Sequence, residues 1–134
     1  MNGKAQGFKD LLAYQKAFQH ACDIFHISLL FPKDEKYSLT DQIRRSSRSV
    51  CANMAEAYRK RDYHKHYLLK ITDCLGENSE TLVWLDFALK CGYITEDIHK
   101  TNIQLNEEVG RLLMYMYSNP DKFGVTPLYL PTTD

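Results

Sequence analysis

The chain has 134 residues, 44% of them hydrophobic and 25% charged, and its formal net charge is zero. That is the size and makeup of one domain with a real core. It excludes a disordered polyelectrolyte, and no apolar run approaches the roughly 20 residues a spanning helix needs. The polar start, 1–7, lacks an apolar signal core, so the expected setting is cytoplasmic, with a flexible N-terminus.

The first predicted helix covers about residues 10–30. Its apolar seam is Leu11, Tyr14, Phe18, Ala21, Phe25 and Ser28, with Ala17 and Ile24 beside it. Asp10 is the expected cap, and Phe31-Pro32 ends the helix because the residue before proline avoids helical geometry. The second helix covers 39–60. Its seam is Leu39, Ile43, Ser46/Ser47, Val50, Met54 and Tyr58, and Ser38 is the expected cap with Asp41 three residues on. Small residues (Ser46, Ser47, Ser49, Ala52, Ala55) allow a close neighbour.

The third helix covers 63–90, capped by Asp62. Its seam is Tyr67/Leu68, Ile71, Leu75, Asn78, Leu82, Leu85 and Leu89, and Cys91-Gly92 stops it. The fourth covers 96–118. It begins after Thr95 and steps through Ile98, Asn102, Leu105, Val109, Leu112 and Met116 until Asn119-Pro120. A second seam on it, Ile103, Gly110, Leu113 and Tyr117, is surplus to the core and is read as an oligomer interface. The tail, 119–134, is expected to be extended. Its apolar residues either dock, on the bundle or on a neighbour, or fray.

Four helices with short connections and no strand predict an all-α fold: an antiparallel up-down-up-down four-helix bundle over 8–118. The four cysteines (Cys22, Cys51, Cys74, Cys91) lack metal-clamp spacing and are expected to be reduced and buried. Only one Glu-x-x-His occurs, Glu96 to His99, so a di-metal bundle site is not predicted. No phosphate loop, dinucleotide fingerprint or nucleophile elbow occurs. The expectation is no enzyme, no metal and no cofactor.

The neutral total hides a split. Residues 41–70 carry eight basic groups against three acids, net +5, while 71–134 carry four against ten, net −6. Arg44, Arg45, Arg48, Arg59, Lys60, Arg61 and Lys65, with Lys70, form a basic series on and just beyond the second helix. Arginine forks match phosphate oxygens, so this series is a candidate nucleic-acid surface for RNA or DNA. Tyr58 and Tyr63 flank its last triplet and suit base stacking or interface packing. The competing reading pairs the same groups with acids of the last two helices, within a helix or between subunits. A pI near 6.9 favours that reading. Asn53 and Glu56, three apart on one face, are expected to be hydrogen-bonded across helices in a structural role, with one of the arginines as partner.

An ordered set of motifs carries a family resemblance. It comprises Phe8-Lys-Asp-Leu-Leu-Ala-Tyr-Gln-Lys-Ala17, Phe31-Pro32, Glu35 through Arg45 (including Gln42), Ser49-Val-Cys-Ala-Asn-Met-Ala-Glu56, Glu80-Thr81, Trp84-Leu85 and Cys91-Gly-Tyr-Ile94. The set, from about Phe8 to Tyr117, resembles bacterial proteins encoded in intervening sequences of 23S ribosomal RNA genes. These are similar in turn to the accessory variability determinant of diversity-generating retroelements. The resemblance implies a barrel-like homopentamer without enzymatic activity. For the retroelement relatives it also implies binding of nucleic acid and of a reverse transcriptase. Gln42, Asn53 and Glu56 are framework positions of the resemblance. Two departures, Cys51 in place of a frequent proline and Ala57 in place of glycine, favour a straighter second helix.

Overall fold

The computed structural model describes residues 7–129; the expected flexible start up to residue 6 and the tail from 130 lie outside them. A one-turn 3-10 helix at Phe8–Asp10 leads into α1 (Leu12–Ser28), followed by a 3-10 turn at Lys33–Glu35. Then come α2 (Leu39–Arg59), α3 (His64–Lys90) and α4 (Glu96–Ser118), and a last 3-10 turn at Pro120–Phe123. Among the described residues there is no strand. No helix of the described residues is long and apolar enough to cross a membrane.

Each helix packs on its sequence neighbours, and α1 also packs on α4, so the four enclose a common interior. Two apolar clusters fill it. One gathers Val50, Met54, Tyr67, Ile71, Val109, Leu113 and Met116. The other gathers Ile24, Ile43, Leu85, Ala88 and Ile94. Between the two lies a polar layer. Asn78 and Asn106 donate to each other's backbone carbonyl at 3.0 Å, and the Asn106 amide also meets His20 Nε2 at 3.2 Å. A Ser46–Thr81 bond of 2.8 Å ties α2 to α3. These groups are buried, where an unpaired polar atom is costly.

The phase of α1 differs from the expected one. Its buried face is Ala13, Ala17, His20, Ile24 and Ser28, and Phe18 and Phe25 stand 54% and 36% exposed. Small residues, not aromatic ones, therefore meet the core. The other helices show the same preference in milder form. Cys74, Thr81 and Ala88 take inner places beside Leu75, Leu82 and Leu89 on α3, and Asn106 and Leu113 do so beside Leu105 and Leu112 on α4.

Three predicted caps give way to other devices. Asp10 lies in the 3-10 turn and Leu11 holds the cap position of α1. Ser38 turns its hydroxyl to Glu35, whose carboxylate also accepts from the Leu39 amide at 3.3 Å. Tyr63 rather than Asp62 precedes α3. At α4, Thr95 Oγ1 accepts from the Ile98 amide at 3.2 Å, an N-cap bond. Gly92 closes α3 with φ 78°. Its amide reaches Leu89 and the Tyr93 amide reaches Ala88, the double bond of a left-handed glycine cap. α2 runs unbroken through Cys51 and Ala57. The tail docks as far as Val125, which is buried, and the Thr126 amide donates to the Arg61 carbonyl at 2.8 Å.

Candidate functional site

The predicted basic series does not form one surface. Arg45, on the α2 face toward α3, reaches Glu77 at 2.9 Å and Glu80 at 2.9 Å in the same chain, and its Nε reaches Gln42 at 3.4 Å. Burial pushes the Glu77 carboxyl upward, but bonds led by Arg45 outweigh it and hold the group below the usual range. Glu80 is raised, first by its hydrogen bond with Glu77. Arg45 is thus paired with acids of α3, between helices of one chain rather than within a helix or between subunits.

Arg61 is a strut. Its guanidinium stacks 3.6 Å from the Tyr58 ring centroid and donates to the Tyr58 carbonyl at 2.8 Å and the Phe123 carbonyl at 3.3 Å. Lys70 binds the Asn53 side-chain oxygen at 3.3 Å and Glu56 at 3.5 Å, while Asn53 Nδ2 donates to the Ser49 carbonyl at 2.9 Å. Asn53 and Glu56 therefore do bond across helices, but to Lys70 of α3 rather than to an arginine. Arg59, Lys60 and Lys65 are exposed at the α2–α3 corner. Among the described residues they make no ion pair within 4 Å.

Arg44 and Arg48 belong to a different feature. Arg44 Nε donates to Ser28 Oγ at 2.7 Å, and its guanidinium lies 4.8 Å from the Phe25 ring centroid. Arg48 lies 5.9 Å from the same ring. Arg48 also lines a cavity of about 590 Å³ formed along α1 and α2. The walls are Phe8, Tyr14, Phe18, Ala21, Cys22, Phe25 and His26 from the first turn and α1, with Cys51, Ala52 and Ala55 from α2. The aromatic seam that sequence periodicity assigns to the core is the wall of this open groove. An apolar recess beside two guanidinium groups that make no ion pair among the described residues can seat an apolar side chain accompanied by an acid.

The α4 seam is corrected in turn. Leu113 is 0% exposed within the chain's own core, and Ile103 packs on the second cluster. A side chain at Gly110 would meet Asn78 Nδ2 at 3.5 Å, so the glycine faces α3. Of the four, Tyr117 alone is exposed. Among the described residues, α1 turns Leu12, Phe18 and Phe25 outward, and α3 and α4 expose Leu69, Val83, Phe87, Met114 and Tyr115.

The cysteines also divide. Cys74 is buried, Cys51 half-buried, and Cys22 and Cys91 exposed, all as free thiols. Burial, with a contribution from Cys22, pushes the Cys51 thiol up to about 11. No group of three or more histidine, cysteine or acidic side chains among the described residues is arranged to hold a metal.

An all-helical chain with an apolar groove and a divided charge is the class that fold and site define. A family profile described as 23S rRNA-intervening sequence protein matches residues 9–115, and the chain belongs to that family. Among solved structures, it is similar to a protein of unknown function from the S23 ribosomal protein family of Bacteroides thetaiotaomicron. The two share 24% identity at a TM-score of 0.72, over 79% of this chain and 98% of that one. That likeness is one of fold. No curated protein matches.

Proposed function

We propose that this protein is a non-enzymatic, self-associating bundle that works as a protein–protein scaffold. Its helices run up-down-up-down, and its copies close into a barrel-like ring, a pentamer in the form the family resemblance implies. The α3–α4 pairs Tyr67–Met116, Asn78–Asn106 and Asp86–His99 support the antiparallel sense, because one partner number rises as the other falls.

One observation carries the assembly: α1 turns Phe18 and Phe25 outward, with Tyr14 half-buried beside them, along a groove floored by alanines of α2. A large apolar recess left open by the chain's own fold calls for a partner surface. The arginines at its edge suit the acidic half of a second copy, residues 71–134 at net −6. A groove on one face meeting a different, acidic face makes a head-to-tail contact, which closes into a ring. The recess is lined by aromatic rings, alanines and thiols, with His26 and Arg48 beside them; Cys51 is held protonated at neutral pH, so its thiol is no ready nucleophile. Light scattering of the purified chain at micromolar concentration tests this reading. It predicts a discrete multiple of the 15.6 kDa protomer; a monomer across that range contradicts it.

A second reading rests on the exposed corner of Arg59, Lys60 and Lys65, which in a ring would be repeated around one rim. This is the surface offered to RNA or DNA, or to a nucleic-acid enzyme such as a reverse transcriptase. Binding there weakens as salt rises, because phosphate contacts release counterions. Charge reversal of the three residues would abolish it and leave the oligomer intact.

A further inference from the structure

Cys22 and Cys51 line one cavity from neighbouring helices. They also sit at one level. Arg48 of α2 lies over Phe25 of α1, and three residues back along α1 and three on along α2 bring the chain to Cys22 and Cys51. The next level in the other direction repeats the match, with Ser28 of α1 bonded to Arg44 of α2. Burial first, and Cys22 second, raise the Cys51 thiol. Cys22 is exposed and Cys51 half-buried, which gives one thiol that solvent reaches and a second set behind it.

We propose that Cys22 and Cys51 form a dithiol site that a hydroperoxide converts into an intramolecular disulfide joining α1 to α2. In the first step the Cys22 thiolate attacks one peroxide oxygen. The O–O bond breaks, the other oxygen leaves as hydroxide and takes up a proton, and Cys22 becomes a sulfenic acid. In the second step the Cys51 thiolate attacks the Cys22 sulfur, the S–O bond breaks, and hydroxide leaves as water. Two thiols lose two electrons, and hydrogen peroxide is reduced to two waters. The exposed Cys22 is the attacking thiol. Cys51, protonated at neutral pH, is the resolving one, and its deprotonation limits the second step. Cys91 is also exposed but lies at the far end of α3, so it meets the same oxidant without a resolving partner.

The bridge places two sulfurs across the middle of the groove and ties its walls together. Oxidation then competes with the occupant of the groove, a consequence that rests on the scaffold reading; the bridge itself does not. Assembled copies would shield Cys22, so dilute protein oxidises faster than concentrated protein.

The test uses the full chain, reduced, treated with hydrogen peroxide, alkylated, and mapped by mass spectrometry without reduction. Wild type and Cys91→Ser are expected to yield a Cys22–Cys51 linked peptide that dithiothreitol releases. Cys22→Ser and Cys51→Ser are expected to yield none, with Cys51→Ser stalling as a trappable Cys22 sulfenic acid. Recovery of both cysteines alkylated, over-oxidation of Cys22 in wild type at the rate of Cys91, or Cys22 found only in bridges between chains would each overturn the proposal. A linked peptide from a chain that is monomeric by light scattering would uphold the dithiol and sink the scaffold reading alone.

Discussion

His20 is the most consequential single residue of the core. It is 2% exposed, and burial lowers its pKa to about 4. Asn106 meets its Nε2, while Nδ1 has no hydrogen-bond partner among the described residues. The neutral ring is the form that folds. Unfolded, the ring titrates near 6.5 and binds the proton that the folded state refuses, so stability is complete above that value and declines as pH falls toward 4. From pH 7 to pH 5 the expected loss is about 2 kcal/mol, read from urea unfolding at the two pH values. His20→Gln should remove most of this dependence; an unchanged pH profile would refute the assignment. Arg45 makes the opposite kind of contribution. Its side chain is 47% exposed even while it grips Glu77 and Glu80. Arg45→Met should therefore cost less than about 1 kcal/mol and leave assembly intact. Gly124 lies between these two. Its φ is 75°, and an added Cβ would sit 3.0 Å from the Arg61 guanidinium. Gly124→Ala is expected to cost about 1 kcal/mol by loosening the tail, seen as faster exchange of the Thr126 amide.

At the scale of the element, α1 shows what periodicity supplies and what it leaves open. The 3.6-residue period is plain in the sequence, and a helix forms there. Its phase was not legible, because two apolar stripes run side by side: Tyr14, Phe18 and Phe25 on one, Ala13, Ala17 and Ile24 on the other. Hydrophobicity ranks the aromatic stripe first. Packing chooses the small one, since close helix contact excludes large rings. On α2 one stripe dominates, and Leu39, Ile43, Val50 and Met54 are buried as their spacing predicts. On α4, Asn102, Val109 and Met116 are buried as their spacing predicts, while Leu113 of the second seam also turns inward and Leu112 lies toward the edge. Caps were the least legible feature. Asp10, Ser38 and Asp62 all have suitable side chains, but the local 3-10 turn, Glu35 and Tyr63 decide the geometry. Nothing in the sequence marked Glu35 as the group that closes the start of α2, although it sits three residues before Ser38. The basic series was legible as charge and not as a surface, because Arg45 and Lys70 are drawn to acids brought near only by the fold, Arg44 and Arg48 to a ring on α1, and Arg61 to the tail, while Arg59, Lys60 and Lys65 stay exposed. Consistent with this picture, Ala52→Trp, which fills the groove from α2, should block self-association while leaving helix content by circular dichroism unchanged.

For the whole molecule, the neutral total and the +5 and −6 halves have one economical explanation: the halves meet. Part of that meeting is internal, as the pairs of Arg45 with Glu77 and Glu80 and of Lys70 with Asp73 at 3.9 Å show. The rest, Arg48 with the groove and Arg59, Lys60 and Lys65 at the corner, faces outward. In the proposed assembly the groove serves self-association and the corner lines the rim. Reversing the corner charges should remove any salt-sensitive RNA binding without changing molar mass. The central claim concerns the groove, and sedimentation velocity of three proteins tests it most directly: wild type, Phe18→Ser/Phe25→Ser and Arg45→Met. Wild type and Arg45→Met are predicted to sediment as one closed oligomer, about 78 kDa for five copies of 15.6 kDa, and the double phenylalanine variant as a folded monomer. A double variant that keeps the wild-type mass, or a wild type that is already monomeric, would contradict the account.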